Sequence, residues 1–283
     1  MKLVLNKKKM PCKSVPIVYF LLCVLQFIYA APITNITMGG AGYSDLQTAV
    51  DAAAEGHEIR IQAVTLTRGA GLNLLELTNG VVIHAKTNLT LRGGYDLTFT
   101  SQSGYTILDG GAAGTNTVMV MQYLTNIKLD GFAVTGGTNM FSNGGGASLF
   151  RVYNSCISNC IFSNNYATNG GGLSLLYSDN NIIDAVFTNN RSKYNGGGMY
   201  SYYGSSNVIR GTIIKNYCSL LGGGFGLWYG SSNEISAAVV NNNSAVVGGG
   251  ISLYLSGMNL FNGLISNNTA ISGAGIYYYH GLW

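Results

Sequence analysis

Asn143-Gly144-Gly145-Gly146-Ala147-Ser148-Leu149-Phe150 decides the architecture, because the chain repeats this stretch to its end. Gly triplets open at Gly144, Gly170, Gly196, Gly222 and Gly248, each 26 residues after the last, and a worn copy, Gly273-Ala274-Gly275, follows 25 residues later. Self-similarity at this period marks a solenoid, in which each repeat buries its apolar face only against its neighbours. Three residues after the first Gly stand Ala147, Leu173, Met199, Phe225, Ile251 and Ile276, all apolar. Five after it stand Leu149, Leu175, Ser201, Leu227, Leu253 and Tyr278. The position between is Ser148, Ser174, Tyr200, Gly226, Ser252 and Tyr277. Period-two alternation over so short a run is a strand with one buried face.

A second apolar anchor follows at Phe162, Phe187, Ile213, Val240 and Ile265, with Asn three residues on at Asn165, Asn190, Asn216, Asn243 and Asn268. Five residues before each anchor is another aliphatic (Ile157, Ile182, Val208, Ile235, Leu260), and two before it a small residue (Cys160, Ala185, Gly211, Ala238, Gly263). Each repeat therefore holds two or three short strands between Gly, Asn and Ser turns, with no helical stretch. Strands that recur once per coil stack in parallel on their copies about 4.8 Å away. The fold expected is all-β, a single-stranded right-handed parallel β-helix. Gly suits its tight corners, and stacked Asn amides can hydrogen-bond from coil to coil.

The pairing of Gly-Gly-Gly-Leu173 with Phe162-Ser163-Asn164-Asn165 and Phe187-Thr188-Asn189-Asn190 resembles the repeat of chlamydial-type polymorphic outer-membrane proteins, over roughly residues 130–283. The last copies depart from it, with Ile213, Val240 and Ile265 in place of Phe. That resemblance implies surface-displayed adhesin passengers followed by an outer-membrane barrel. Upstream, Leu46-Gln47 to Ala53, a Gly and then a strand resembles the entry to pectin-lyase-like β-helices, although His57-Glu58 stands where those carry Asp.

Residues 1–30 read as a signal peptide: Lys2, Lys7, Lys8, Lys9 and Lys13 precede an apolar run from Ile17 to Tyr29, and Ala30-Ala31 offers a cleavage site. The run is 13 residues long and contains Gln26, too short for a membrane span of about 20. The whole chain has 15 Lys+Arg and 11 Asp+Glu; five of those Lys leave with the leader, so 10 cations face 11 acids. The basicity belongs to the export signal, and a nucleic-acid partner is not expected. Residues 31–56 form an N-terminal cap, with Ser44 as helix N-cap in a Ser-x-x-Gln capping box, a face of Leu46, Val50 and Ala53, and Gly56 as the stop. Residues 57–283 form the β-helix, irregular before Gly144, and at one coil per 26 residues amount to roughly nine coils. The sixth copy opens at Gly273 and reaches Trp283 within its first strand. End-to-end association through that last coil is an expectation.

Catalytic residues are sparse. Asp96, Asp109 and Asp130 fall in one region, and Asp109 and Asp130 both sit in Leu-Asp-Gly, so stacking on successive coils would make a carboxylate pair. The competing reading is an Asp bonded to its own turn. Asp184 and Arg210 occupy one slot on adjacent coils and are expected to pair, while Glu234 substitutes in a column of Asn181, Asn207 and Asn259. No Cys or His spacing suits a metal and no cofactor is implied; Cys160, in the small-residue slot, reads as a buried free thiol, with a Cys156–Cys160 disulfide as the alternative and Cys218 left over.

Aromatics stand out. Six residues after each first Gly come Phe150, Leu176, Tyr202, Trp228, Tyr254 and Tyr279, with parity opposite to the buried positions, followed at the next position by Tyr177, Tyr203 and Tyr229. Tyr202, Trp228, Tyr254, Tyr177, Tyr203 and Tyr229 are the candidate ligand-binding residues, an outward row for sugar rings or a protein partner. The same row also reads as a ladder that stiffens the sheet. The expectation is a secreted or cell-surface protein, extracellular or at an outer-membrane surface, that touches a membrane only through export or a further anchor. It is adhesin-like or envelope-structural, with glycans or host-surface proteins as partners. The alternative is a polysaccharide lyase or glycoside hydrolase.

Overall fold

The computed structural model describes residues 31–67, 80–111 and 116–280, so the leader over 1–30 and the end of the sixth copy at Trp283 lie outside the described residues. Short strands recur once per coil and stack into three sheets, a parallel β-solenoid. Sheet 1 has eight strands: Val81–His84, Met119–Thr125, Ala147–Tyr153, Leu173–Leu176, Met199–Tyr202, Phe225–Trp228, Ile251–Tyr254 and Ile276–Tyr279. Sheet 2 has fourteen, including Cys156–Ser163, Ile182–Thr188, Val208–Ile214 and Glu234–Asn241. Sheet 3 has four: Thr138–Asn143, Tyr166–Asn169, Arg191–Asn195 and Tyr217–Cys218. The solenoid makes about six turns rather than nine. The early chain spends more residues per coil: Val81 pairs with Met119, 38 positions on.

Register carries the core. Ala147, Leu173, Met199, Phe225 and Ile251 lie directly over one another and are buried. Phe162 and Phe187 stack beneath sheet 2 at 5.2 Å and 9°. Four left-handed residues close a coil, as in Tyr177, Asn180, Asn189 and Gly196 with φ of 52°, 58°, 55° and 58°. Such backbone favours Gly and Asn, which explains their recurrence at the corners. At two corners a buried Asn also joins a ladder. Asn190 Oδ1 accepts from the backbone and amide nitrogens of Asn165, each at 3.1 Å, and Asn190 Nδ2 donates to Phe162 O at 2.8 Å. Asn216, Asn243 and Asn268 continue that ladder.

Bulges revise several expectations. The second inward column is Ile157–Ile183–Ile209–Ile235–Phe261, so Ile182, Val208 and Leu260 point outward. An extra residue at Asn159 in Cys156–Ser163, and another between Ala237 and Val239 in Glu234–Asn241, lengthen those strands between column and anchor. Counting back from the anchor therefore slips by one in the unbulged coils. By the same slip Asn233, not Glu234, continues the column of Asn181, Asn207 and Asn259. Leu91-Arg92-Gly93-Gly94 lies inside the strand Thr90–Tyr95.

The N-terminal segment covers the first coil. Strands Ile33–Asn35 and Ala41–Tyr43 form an antiparallel hairpin whose first strand pairs with Glu58–Gln62, covering that edge of sheet 2. Helix α1 (Leu46–Ala52) buries Leu46, Ala49 and Val50. Its N-cap is Asp45 rather than Ser44: Asp45 Oδ2 accepts from Thr48 N at 2.7 Å. Gln47, freed from a capping box, pairs with the outer edge of sheet 1, accepting from Val82 N at 2.7 Å and donating to Val82 O at 2.9 Å. One side-chain amide thus replaces a missing strand, which shields an edge open to other chains. The helix ends at Ala52, before the expected stop at Gly56.

Candidate functional site: an aromatic strip on sheet 1

Rings run the length of sheet 1 in two adjoining columns. The inner column, on the strands, holds Phe150, Tyr202, Trp228, Tyr254 and Tyr279, in register across neighbouring coils. The outer column occupies the left-handed position that follows, within the strand at Tyr123 and Arg151 and at the strand end at Tyr177, Tyr203, Tyr229 and Leu255, with φ between 46° and 56°. A bulky side chain rarely takes this conformation, and it turns these rings out of the sheet plane against the inner column. Tyr202 meets Tyr177, Tyr203 and Tyr229 edge-on, at 5.7, 4.7 and 5.7 Å. Within the outer column Tyr177, Tyr203 and Tyr229 stack face to face at 5.6 and 4.9 Å. Trp228, Tyr254 and Tyr279 do the same in the inner one, at 4.5 and 4.8 Å.

All six sequence-selected rings meet in one strip, but they are not equally outward, and Tyr229 is half-buried. Tyr177 and Tyr203 are 43% and 46% exposed, whereas Tyr202, Trp228 and Tyr254 are half-buried beneath the corner column. Tyr200 goes further under, 5% exposed, filling the space that Gly226 leaves on the next strand; burial pushes its hydroxyl pKa above the usual range. Face-to-face stacking covers the ring faces, so the strip offers ring edges and phenol hydroxyls.

The strip also extends through residues outside the Gly repeats: Tyr123 contacts Phe150 at 5.5 Å and His84 at 5.5 Å. Arg151 stands in the outer column with its guanidinium 5.7 Å from the Tyr123 ring and 5.4 Å from Phe150. Counting four residues on from Met119, as from Ala147, would have found Tyr123 from sequence.

The scattered acids are not brought together. Asp109 pairs in register with Thr67 and Thr135, and Asp130 with Arg92 and Ser158, so the two do not stack. They sit in different strand rows of sheet 2, because the chain bends at Gly131 between Lys128–Asp130 and Phe132–Thr135. Asp109 Oδ1 accepts from Gly111 N at 2.9 Å, a turn bonded to itself. Asp96 binds its own loop: the Ser101 hydroxyl, the Thr100 amide and the Thr98 and Thr100 hydroxyls hold it far below the usual carboxylate range. Asp184 and Arg210 are in register without closing an ion pair; among the described residues the ion pair is Arg60–Glu58 at 2.7 Å. Among them, too, no three Cys, His, Asp or Glu gather where a metal would sit, and no helix is long and apolar enough to cross a membrane.

Cys156, Cys160 and Cys218 are free thiols. Burial pushes the Cys160 pKa up to about 12 and raises that of Cys218. Folding therefore favours the protonated Cys160, and that contribution to stability is lost as pH rises from the ordinary 9.0 toward 12. With iodoacetamide at pH 8, Cys156 is expected to alkylate while Cys160 and Cys218 stay unmodified until unfolding. Equal labelling of Cys156 and Cys160 in folded protein, read by peptide mass spectrometry, contradicts this.

Compared with protein-family models, characterised proteins and solved structures, the chain matches none.

Proposed function

We propose that this chain is an exported, non-enzymatic binding solenoid that docks a glycan or host-surface protein along the aromatic strip of sheet 1. The observation that carries this reading is the strip itself: tyrosines held in costly left-handed backbone on successive coils, with Tyr177 and Tyr203 43% and 46% exposed. Rings fixed by stacking lose little entropy on binding, and their hydroxyls supply directional contacts at the coil spacing. Surface display is supported by the leader-like residues 1–30 and by repeats resembling those of chlamydial-type polymorphic outer-membrane proteins. The pectin-lyase-like alternative, a polysaccharide lyase or hydrolase, needs clustered carboxylates, and Asp96, Asp109 and Asp130 occupy separate turns and strands.

A second reading has its own observation. Tyr203 and Tyr229 at 4.9 Å and 12° use their faces on one another, as a ladder that only stiffens the sheet does. Two triple variants separate the two. Replacing Tyr177, Tyr203 and Tyr229 with Ser removes the corner rings and is expected to cost about 1 kcal/mol per lost ring pair. Ligand capture on a glycan array or cell surface should fall about tenfold or more. Replacing Tyr202, Trp228 and Tyr254 strips the half-buried inner column and should cost about 3 kcal/mol or more in melting experiments. A corner variant that binds as the parent does refutes the binding reading and leaves the ladder.

A further inference from the structure

Sheet 3 carries a surface of different chemistry on a different side of the coil. Tyr166, Arg191 and Tyr217 lie in one register column on three successive coils. The Arg191 guanidinium sits between the two rings, 6.0 Å from that of Tyr166 and 5.0 Å from that of Tyr217. On the same strand a bulge sets Lys193 and Tyr194 together opposite Thr168, and both point to solvent. Lys193 Nζ is 4.8 Å from the Tyr194 ring. Lys215, exposed, occupies the left-handed corner that other coils fill with Asn164, Asn189, Asn242 and Asn267, two residues before Tyr217.

Charge here is one-sided. Beyond Asp130 the chain has three acids, Asp179, Asp184 and Glu234, and none lies in or beside a strand of sheet 3. Among the described residues Arg191, Lys193 and Lys215 have no carboxylate partner. A guanidinium placed between rings and without a carboxylate partner keeps N–H groups for an oxyanion, and its fork geometry suits planar or tetrahedral anions. A bulge that turns an extra side chain outward is typical of sites rather than of plain sheet.

We infer that the outer face of sheet 3, built on Arg191, Lys193 and Lys215 between Tyr166, Tyr194 and Tyr217, binds a sulfated glycan. Three cations on two adjacent coils match densely spaced sulfate esters, and the flanking phenols contact the sugar between them. A nucleic-acid strand needs a longer row of phosphate contacts than two coils supply. This site is independent of the aromatic strip on sheet 1.

The test is salt elution of the full chain from immobilised heparin. The parent is expected to be retained on heparin and to pass uncharged dextran. The Arg191→Gln, Lys193→Gln, Lys215→Asn variant should bind about tenfold more weakly, as the loss of three exposed charge contacts predicts. Lys128→Gln with Arg210→Gln on sheet 2 should elute with the parent. Failure of the parent to bind heparin overturns the proposal, as does a triple variant that elutes unchanged. Equal loss in the sheet 2 pair overturns it as well. Competition by polygalacturonate or single-stranded DNA as strong as by heparin also overturns it, since the face would then recognise negative charge and no more. Circular-dichroism melting checks the fold; if the triple variant melts early, Lys193→Gln alone, exposed and outside any buried contact, must still lower the eluting salt.

Discussion

Gly197→Val is expected to abolish cooperative folding or to cost about 5 kcal/mol, against about 1 kcal/mol for Ser205→Val a few residues on. Two glycines of that corner are constrained differently when given a side chain. Gly196 has φ of 58°, and a Cβ there would also overlap the Met199 carbonyl oxygen, so backbone conformation and space both exclude it. Gly197 is constrained by space alone: a Cβ there would overlap the carbonyl oxygens of Gly223 on the next coil and of Tyr217. Neither oxygen can move aside, because each belongs to the backbone of the stacked coil. Ser205, by contrast, is half-exposed, and its hydroxyl accepts a single 3.2 Å bond from Ser231 N. Gly197→Ala should already destabilise measurably, which separates crowding from the β-branching of Val. Melting temperatures of Gly197→Val and Ser205→Val within a few degrees of each other contradict the stacked corner.

Asn207→Ala should cost about 4 kcal/mol, while Asn180→Gly, at an exposed corner one coil earlier, should be close to neutral. Asn207 Oδ1 accepts from Asn181 N at 3.0 Å and from Asn181 Nδ2 at 3.1 Å, and its Nδ2 donates to Ser178 O at 2.9 Å. Asn207 and Asn181 are each 1% exposed, so truncation leaves a buried N–H and a buried C=O without water to replace the lost partner. Asn180 instead supplies only left-handed backbone, φ 58°, which Gly adopts freely. Chemical denaturation read at equal m-values decides it: a loss near 1 kcal/mol for Asn207→Ala would mean the ladder is decoration.

These two positions show how much of the fold could be read directly. A 26-residue period, the buried column from Ala147 to Ile251 and the Asn165 to Asn268 ladder are local and periodic, and stacking identical strands has one solution that keeps apolar rows inside. The aromatic residues of the strip were legible for the same reason, since parity along a strand settles which side a ring takes.

What sequence spacing could not decide was everything that depends on where a strand gains a residue or a corner turns. The bulge at Asn159 breaks the count that put Ile182 and Val208 inside, and the second bulge, in Glu234–Asn241, is why Asn233 holds the Asn column. Left-handed backbone at Tyr177, Tyr203 and Tyr229 brings those rings against Tyr202 and Trp228, so the rings expected to face outward on the strands are half-buried while Tyr177 and Tyr203 reach solvent. Asp109 and Asp130 share a motif 21 residues apart yet fall in different strand rows, because the chain bends at Gly131 and the register partner of Asp109 is Thr135, on the far side of that bend. The sequence alone determined the repeating cross-section and its core, which follow from near-neighbour periodicity. Only the tertiary structure decided which side chains reach the surface together, because a single inserted residue or positive φ re-aims a side chain at almost no cost to the pattern of hydrophobic positions.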